Sequence, residues 1–155
     1  MKILVIFDSV SKSKATKQVA HALGEPMKEW GLEVDIQYCK DVKNNAILNY
    51  DCVIAGAPTM AFRPSKDMGQ FLDSLRGMDF KGKRAAAFDT QLQSRFSGNA
   101  AKGIDDKLRA LGFSIFKEPL VVYVESKVKD EWLLKAGEPE KVRVWSQEAA
   151  DALKA

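Results

Sequence analysis

Four hydroxyls and two ammonium groups crowd the segment Asp8-Ser9-Val10-Ser11-Lys12-Ser13-Lys14-Ala15-Thr16, directly behind the apolar run Lys2-Ile3-Leu4-Val5-Ile6-Phe7. Between a strand and a helix, such groups suit a phosphate, because the first helical turn offers unpaired N–H groups and the positive end of the helix dipole. Ser9, Ser11, Ser13 and Thr16 are the candidate hydroxyls, with Lys12 and Lys14 as flanking cations. A second set follows a later apolar run: Pro58-Thr59-Met60-Ala61-Phe62-Arg63-Pro64 offers a turn stiffened by two prolines and carrying a sulfur, an aromatic ring and a guanidinium. Fixed φ angles lower the entropy cost of holding Met60 and Phe62 against a planar ligand. A third set, Asp89-Thr90-Gln91, would line the ligand's polar edge, with Phe96 further along the same loop. Together the three sets suit a phosphorylated ring compound.

The elements that must position these residues follow from hydropathy. A solid apolar run such as Ile3 to Phe7 reads as a strand buried on both faces, which belongs in a parallel sheet with helices above and below. Leu32 to Tyr38, Cys52 to Ala57, Arg84 to Phe88 and Leu120 to Val124 complete a set of five strands. Met68, Phe71, Leu72 and Leu75 repeat at helical spacing, as do Ile104, Leu108 and Leu111. A first helix from about Thr16 shows the stripe Ala20, Leu23, Met27, Trp30, and its Gly24 and Pro26 predict a kink or split. A last helix from about Pro139 runs Val142, Trp145, Ala149, Leu153. Lys40 to Asn49 has no clear period and reads as loop with at most one irregular turn. The architecture expected is a three-layer αβα sandwich on a five-stranded parallel sheet of order 2-1-3-4-5, one domain over 1–155. Its crevice lies outside the carboxyl ends of the first and third strands, where the strand order reverses.

Other chemistries fail on their residues. A receiver-type phosphoacceptor needs an aspartate where strand three ends in Ala55-Gly56-Ala57, and neither G-x-x-x-x-G-K-[ST] nor G-x-G-x-x-G occurs. Asp8 and Asp89 as a hydrolase pair would stand on the order of 10 Å apart across one intervening strand; turn hydrogen bonding is the commoner role for such aspartates. Cys39, Cys52 and the single His21 are too few for a zinc site, and neither cysteine has a histidine placed to activate it. Ordinary alternatives stand beside the functional ones: Lys12 and Lys14 as a solvated basic helix entrance, Phe62 and Phe96 as packing under their own loops. Trp30, Trp132 and Trp145 read as core or cover.

The net charge of +3 comes from 24 basic and 21 acidic residues spread along the chain rather than gathered in a tail, the pattern of a mixed surface with no nucleic-acid footprint. With no secretory leader and no apolar stretch of about 18 residues, neither export nor membrane spanning is expected, and the cytoplasm is. Glu125 to Glu138 reads as an ordered cover, a dimer contact or a loop, and Trp132-Leu133-Leu134 within it would be an exposed patch suited to a second copy of the chain unless something covers it.

The opening strand into Asp8-Ser9, Ala55-Gly56-Ala57-Pro58-Thr59 leading to Arg63-Pro64-Ser65-Lys66 and Phe71-Leu72-Asp73-Ser74-Leu75, and Ala86-Ala87-Phe88-Asp89-Thr90 follow one another in an order that resembles the flavodoxin-like family. Ser97-Gly98-Asn99-Ala100-Ala101-Lys102, Leu108-Arg109-Ala110-Leu111-Gly112 and Ala136-Gly137-Glu138 extend the likeness over nearly the whole chain. The resemblance implies non-covalently bound FMN, phosphate on the first loop and the isoalloxazine ring between the second and third, and electron transfer with a redox protein. The family's S/T-x-T-G-N-T loop is not reproduced: Lys12-Ser13-Lys14-Ala15 fills the place of Gly-Asn, so the loop must take another path wherever φ > 0 is needed. In length and in its Ser/basic/Ser pattern the loop is similar to that of NAD(P)H-dependent FMN oxidoreductases, which is the enzyme alternative. A flavodoxin-fold ligand-binding or interaction module that no longer binds flavin is the third.

Overall fold

The computed structural model describes residues 1–9, 14–60, 63–94, 98–129 and 131–155. In chain order the elements are β1 (Lys2–Phe7), α1 (Ala15–Glu29), β2 (Glu33–Tyr38), β3 (Cys52–Met60), β4 (Arg63–Pro64), α2 (Lys66–Asp73), β5 (Arg84–Leu92), α3 (Ala100–Leu111), β6 (Ser114–Ile115), β7 (Leu120–Val128), β8 (Glu131–Leu134) and α4 (Glu138–Lys154). The sheet order is β2-β1-β3-β5-β7-β8. Its first five strands are parallel and reproduce the expected 2-1-3-4-5 order.

Period-two alternation in the buried strands builds both cores. Ile3, Val5 and Phe7 face α1 and α4 with Ile54, Phe88, Val142 and Trp145, while Leu4 and Ile6 face α2 and α3 with Val53, Met68, Leu72, Ile104 and Leu108. Each fully buried Leu or Ile contributes roughly 1.5–3 kcal/mol. Gly56 is forced by this packing: a Cβ there would lie 2.1 Å from the Phe88 ring, which crosses it on the α1 face.

Several sequence expectations change. β3 continues through Pro58 and Thr59 to Met60, and β4 pairs with it antiparallel, Met60 opposite Arg63. β5 likewise runs on through Asp89, Thr90 and Gln91 to Leu92. Those residues are strand rather than loop because they pair with β7, Asp89 against Val121 and Gln91 against Tyr123. Glu131–Leu134, expected in a cover or loop, is an antiparallel edge strand against β7, with Leu134 packed on the α1/α4 core and Leu133 exposed. α1 does not split at Gly24 and Pro26: it is continuous to Glu29, and Gly24 sits so close to β2 that a Cβ would meet Ile36 at 2.7 Å. The Lys40 to Asn49 stretch forms two 3-10 turns that bury Ile47 completely.

Candidate functional site

β1 and β3 leave the sheet side by side at its carboxyl end, where the chain turns to α1 on one face and to α2 on the other. At the end of β1 the Asp8 N–H donates to the Gly56 carbonyl at 3.1 Å, extending the ladder by one residue. The Asp8 carboxylate turns to the α2 face, where its Oδ2 accepts from the Ser65 hydroxyl and its Oδ1 from the Ser9 N–H at 2.9 Å. Buried at 1% exposure, Asp8 ties the start of this turn to the start of α2.

The Ser9 Oγ is buried with no hydrogen-bond partner among the described residues. A buried hydroxyl without a partner costs about 1–3 kcal/mol, so such a group calls for a ligand or a water. α1 begins just beyond. Its N-cap Lys14 is the only non-glycine residue with positive φ among the described residues (φ 53°, ψ 49°), no side chain of the described residues caps the helix, and no acidic residue lies in its first turn. The backbone thus enters the left-handed region that the missing Gly-Asn would supply, with a lysine in it. Ser11, Lys12, Ser13, Phe62 and Phe96 lie outside the described residues.

Thr16 is drawn away from this turn. Its hydroxyl is 2.7 Å from that of Thr90 at the end of β5, and both residues are buried. Pro58 and Thr59 lie half-buried at the end of β3, and Met60 at its tip is 48% exposed. The Thr59 hydroxyl donates to Asp89 Oδ2 at 3.0 Å and accepts the Ala100 N–H at 2.9 Å. The same Asp89 oxygen accepts from the Gln91 amide at 2.7 Å and from the Ala101 N–H at 3.1 Å, while Oδ1 has no partner among the described residues. Burial, the largest influence, raises the Asp89 pKa above the usual carboxylate range against these hydrogen bonds. Asp89, Thr90 and Gln91 are therefore buried, hydrogen-bonded strand residues at the end of β5.

Sequence reasoning missed two participants, Asn99 and Ser65, and it places Thr59 in the turn beside the ligand rather than in a clamp on Asp89. Asn99 caps α3, its Oδ1 accepting from the Lys102 N–H at 3.0 Å; Ser65 and Thr59 lock the two carboxylates. Asn99 had a readable signal, an N-cap residue just before Ala100-Ala101, whereas the partners of Ser65 and Thr59 are set by long-range register. Burial pushes the Cys39 and Cys52 thiols up to about 12, so neither offers a thiolate. His21 stands 3.5 Å from Glu25 on α1. Among the described residues no group of three or more His, Cys, Asp and Glu could hold a metal ion, and no helix is long and apolar enough to cross a membrane.

Fold and site define a doubly wound α/β protein whose crevice, at the order reversal, lies beside the turn from β1 to α1. More narrowly, the chain has the flavodoxin-like fold. It superposes on oxidised Flavodoxin 1 from Bacillus cereus with a TM-score of 0.81 at 25% identity, covering 97% of this chain and 98% of that one. A flavodoxin from the domain Archaea matches with a TM-score of 0.77 at 22% identity over 100% of both chains. The rubredoxin oxygen:oxidoreductase of Desulfovibrio gigas matches at 0.78 and 24% identity, covering 99% of this chain but 36% of that one. No protein-family model matches the sequence, and no curated protein does.

Proposed function

We propose that the 155 residues act as one FMN-binding electron carrier of the cytoplasm. The observation that carries this reading is the pairing of the buried, unpartnered Ser9 hydroxyl with the uncapped start of α1 at the end of β1. That donor set suits a phosphate monoester: a hydroxyl, helix N–H groups and a lysine lie within one strand-to-helix turn, and no acidic residue sits in the first turn of α1. Ser9, Ser11, Ser13, Lys12, Lys14 and the backbone at Thr16 would hold the phosphate; Pro58, Thr59, Met60 and Phe62 would flank the ring; Asp89, Thr90 and Gln91 would lie beneath its polar edge. When bound, the flavin supplies the redox chemistry.

The protein's own part is orientation and water exclusion. Asp8, fixed by Ser65, sets the direction in which the chain leaves β1. The Thr16–Thr90 contact anchors the first turn of α1 over the end of β5. Titration with FMN and with riboflavin, followed by flavin fluorescence and absorbance, tests the reading. Tight FMN binding with much weaker riboflavin binding is expected. Absence of binding at tens of micromolar, corresponding to less than about 6–7 kcal/mol, would leave a flavodoxin-fold module for another ligand. Steady NAD(P)H oxidation by the FMN-loaded protein would instead make it an oxidoreductase.

A further inference from the structure

Four exposed cations stand at the strand ends that open on the crevice, with no ion-pair partner among the described residues. Lys14 and Lys17 lie at the start of α1, Arg63 in β4 and Lys66 at the first position of α2. None of them makes an ion pair among the described residues. Of the carboxylates at this end, exposed Asp41 follows β2 between Lys40 and Lys43 in sequence, away from the β1 and β3 ends. Asp8 and Asp89 are buried and bonded internally. Asp67 faces Lys40 at 3.2 Å, and Asp106 faces Lys102 at 3.0 Å. On the flanking hairpin the sequence balances Lys127, Lys129 and Lys135 with Glu125, Asp130 and Glu131, so the excess belongs to the four cations at the helix starts and β4. The helices after β1, β3 and β5 also direct their positive ends to this edge.

From this excess we infer that the crevice rim is a docking surface for an acidic redox protein, whose carboxylates would face Lys17, Arg63 and Lys66 while the ligand edge lies between them. The inference deepens the electron-carrier reading and rests on it. A cationic rim of this kind steers an acidic partner and repels a basic one, and bulk salt screens both effects.

The test uses the isotope-labelled full chain, with amide shifts followed by NMR on addition of rubredoxin as a small acidic redox protein, or of cytochrome c as a basic one. Rubredoxin is expected to shift amides around Lys17, Arg63 and Lys66. Its affinity should weaken about tenfold as ionic strength rises from about 0.01 M to about 0.15 M, which shortens the screening length from about 30 Å to about 8 Å. The double variant Lys17→Glu/Lys66→Glu should abolish those shifts. Lys28→Glu/Lys81→Glu, an equal charge change at the opposite end of the sheet, should keep them. Three results would overturn the inference: no rim shifts with rubredoxin, equal loss in both double variants, or rim binding by cytochrome c to the unaltered chain. Because the shifts are read with or without FMN, a failure here is separate from a failure of the FMN titration.

Discussion

Two strand-to-helix turns open on the same crevice, and they treat their helix N-termini in opposite ways. After β5, the start of α3 is closed by the protein itself: Thr59 takes the Ala100 N–H, Asp89 the Ala101 N–H and Asn99 the Lys102 N–H. After β1, α1 starts from a lysine in the left-handed region with no side-chain cap, beside a buried hydroxyl that bonds to nothing described. Since orphan N–H groups must find acceptors, the first turn is finished and the second is unfinished. The contrast separates a structural clamp from a turn whose Ser9 hydroxyl is left unpartnered within one fold, although both carry Asp, Ser or Thr, and Lys.

The clamp should break hardest. Asp89→Ala removes the acceptor of Thr59, Gln91 and Ala101 and is expected to lower stability by about 3 kcal/mol in urea denaturation, the scale of losing hydrogen bonds to a buried charged group. Asp89→Asn keeps an acceptor in place and removes the desolvated charge, so it should lose much less at neutral pH. A carboxyl whose folded pKa lies above its unfolded value adds stability that is complete below the unfolded pKa and is lost as pH rises through the folded one. Because burial raises Asp89, the native chain should lose ground against Asp89→Asn as pH climbs from about 3.9, the ordinary aspartate value, through the raised folded value. A difference between the two that is flat across that range would place the folded pKa of Asp89 at its ordinary value.

On the unfinished side, stability and binding should part company. Ser9→Ala deletes a hydroxyl with no partner, so unfolding should change little, while FMN affinity should fall by about 2 kcal/mol, the worth of a hydrogen bond to a charged group. Equal FMN affinity in the variant would remove Ser9 from the phosphate site. The matching change on the finished side, Asn99→Ala, should cost about 1 kcal/mol of stability and leave FMN affinity where it was.

How far the sequence discloses this contrast depends on which force sets each feature. Burial on both faces wrote β1 and the apolar halves of β3 and β5 as continuous hydrophobic runs, and with them a parallel sheet; the strand order came with the flavodoxin-like resemblance. The ends of β3 and β5 carried no such signal: Thr59, Asp89 and Gln91 are polar strand residues held by hydrogen bonds to one another, and Thr90 by its contact with Thr16, which a hydropathy pattern reads as loop. α1 misled in the other direction, because the local weakness of Gly24 and Pro26 is overridden by close packing on Ile36. β8 escaped since a four-residue edge strand is too short to show a period. At the site, residue types in the first loop pointed to an anion, but the division of labour between the two turns depends on register across β3, as in Ala57 opposite Asp89 and Pro58 opposite Thr90.

The smallest effect probes how the unfinished turn is held. Lys14 occupies a conformation that costs an L-residue roughly 1–2 kcal/mol, and glycine would relieve it while adding about 0.4–1 kcal/mol of unfolded-state entropy. The two oppose each other, so Lys14→Gly should raise stability by only about 0.5 kcal/mol, read as a higher urea midpoint at unchanged slope. An exposed helix-interior position would respond oppositely, losing about 1 kcal/mol on the change to glycine. The sign alone therefore tells whether the left-handed start of α1 exists in solution. If the midpoint rises while FMN affinity falls modestly, Lys14 serves the phosphate by charge at the expense of backbone ease; a fall in the midpoint would mean that the loop reaches α1 by a path without positive φ at residue 14.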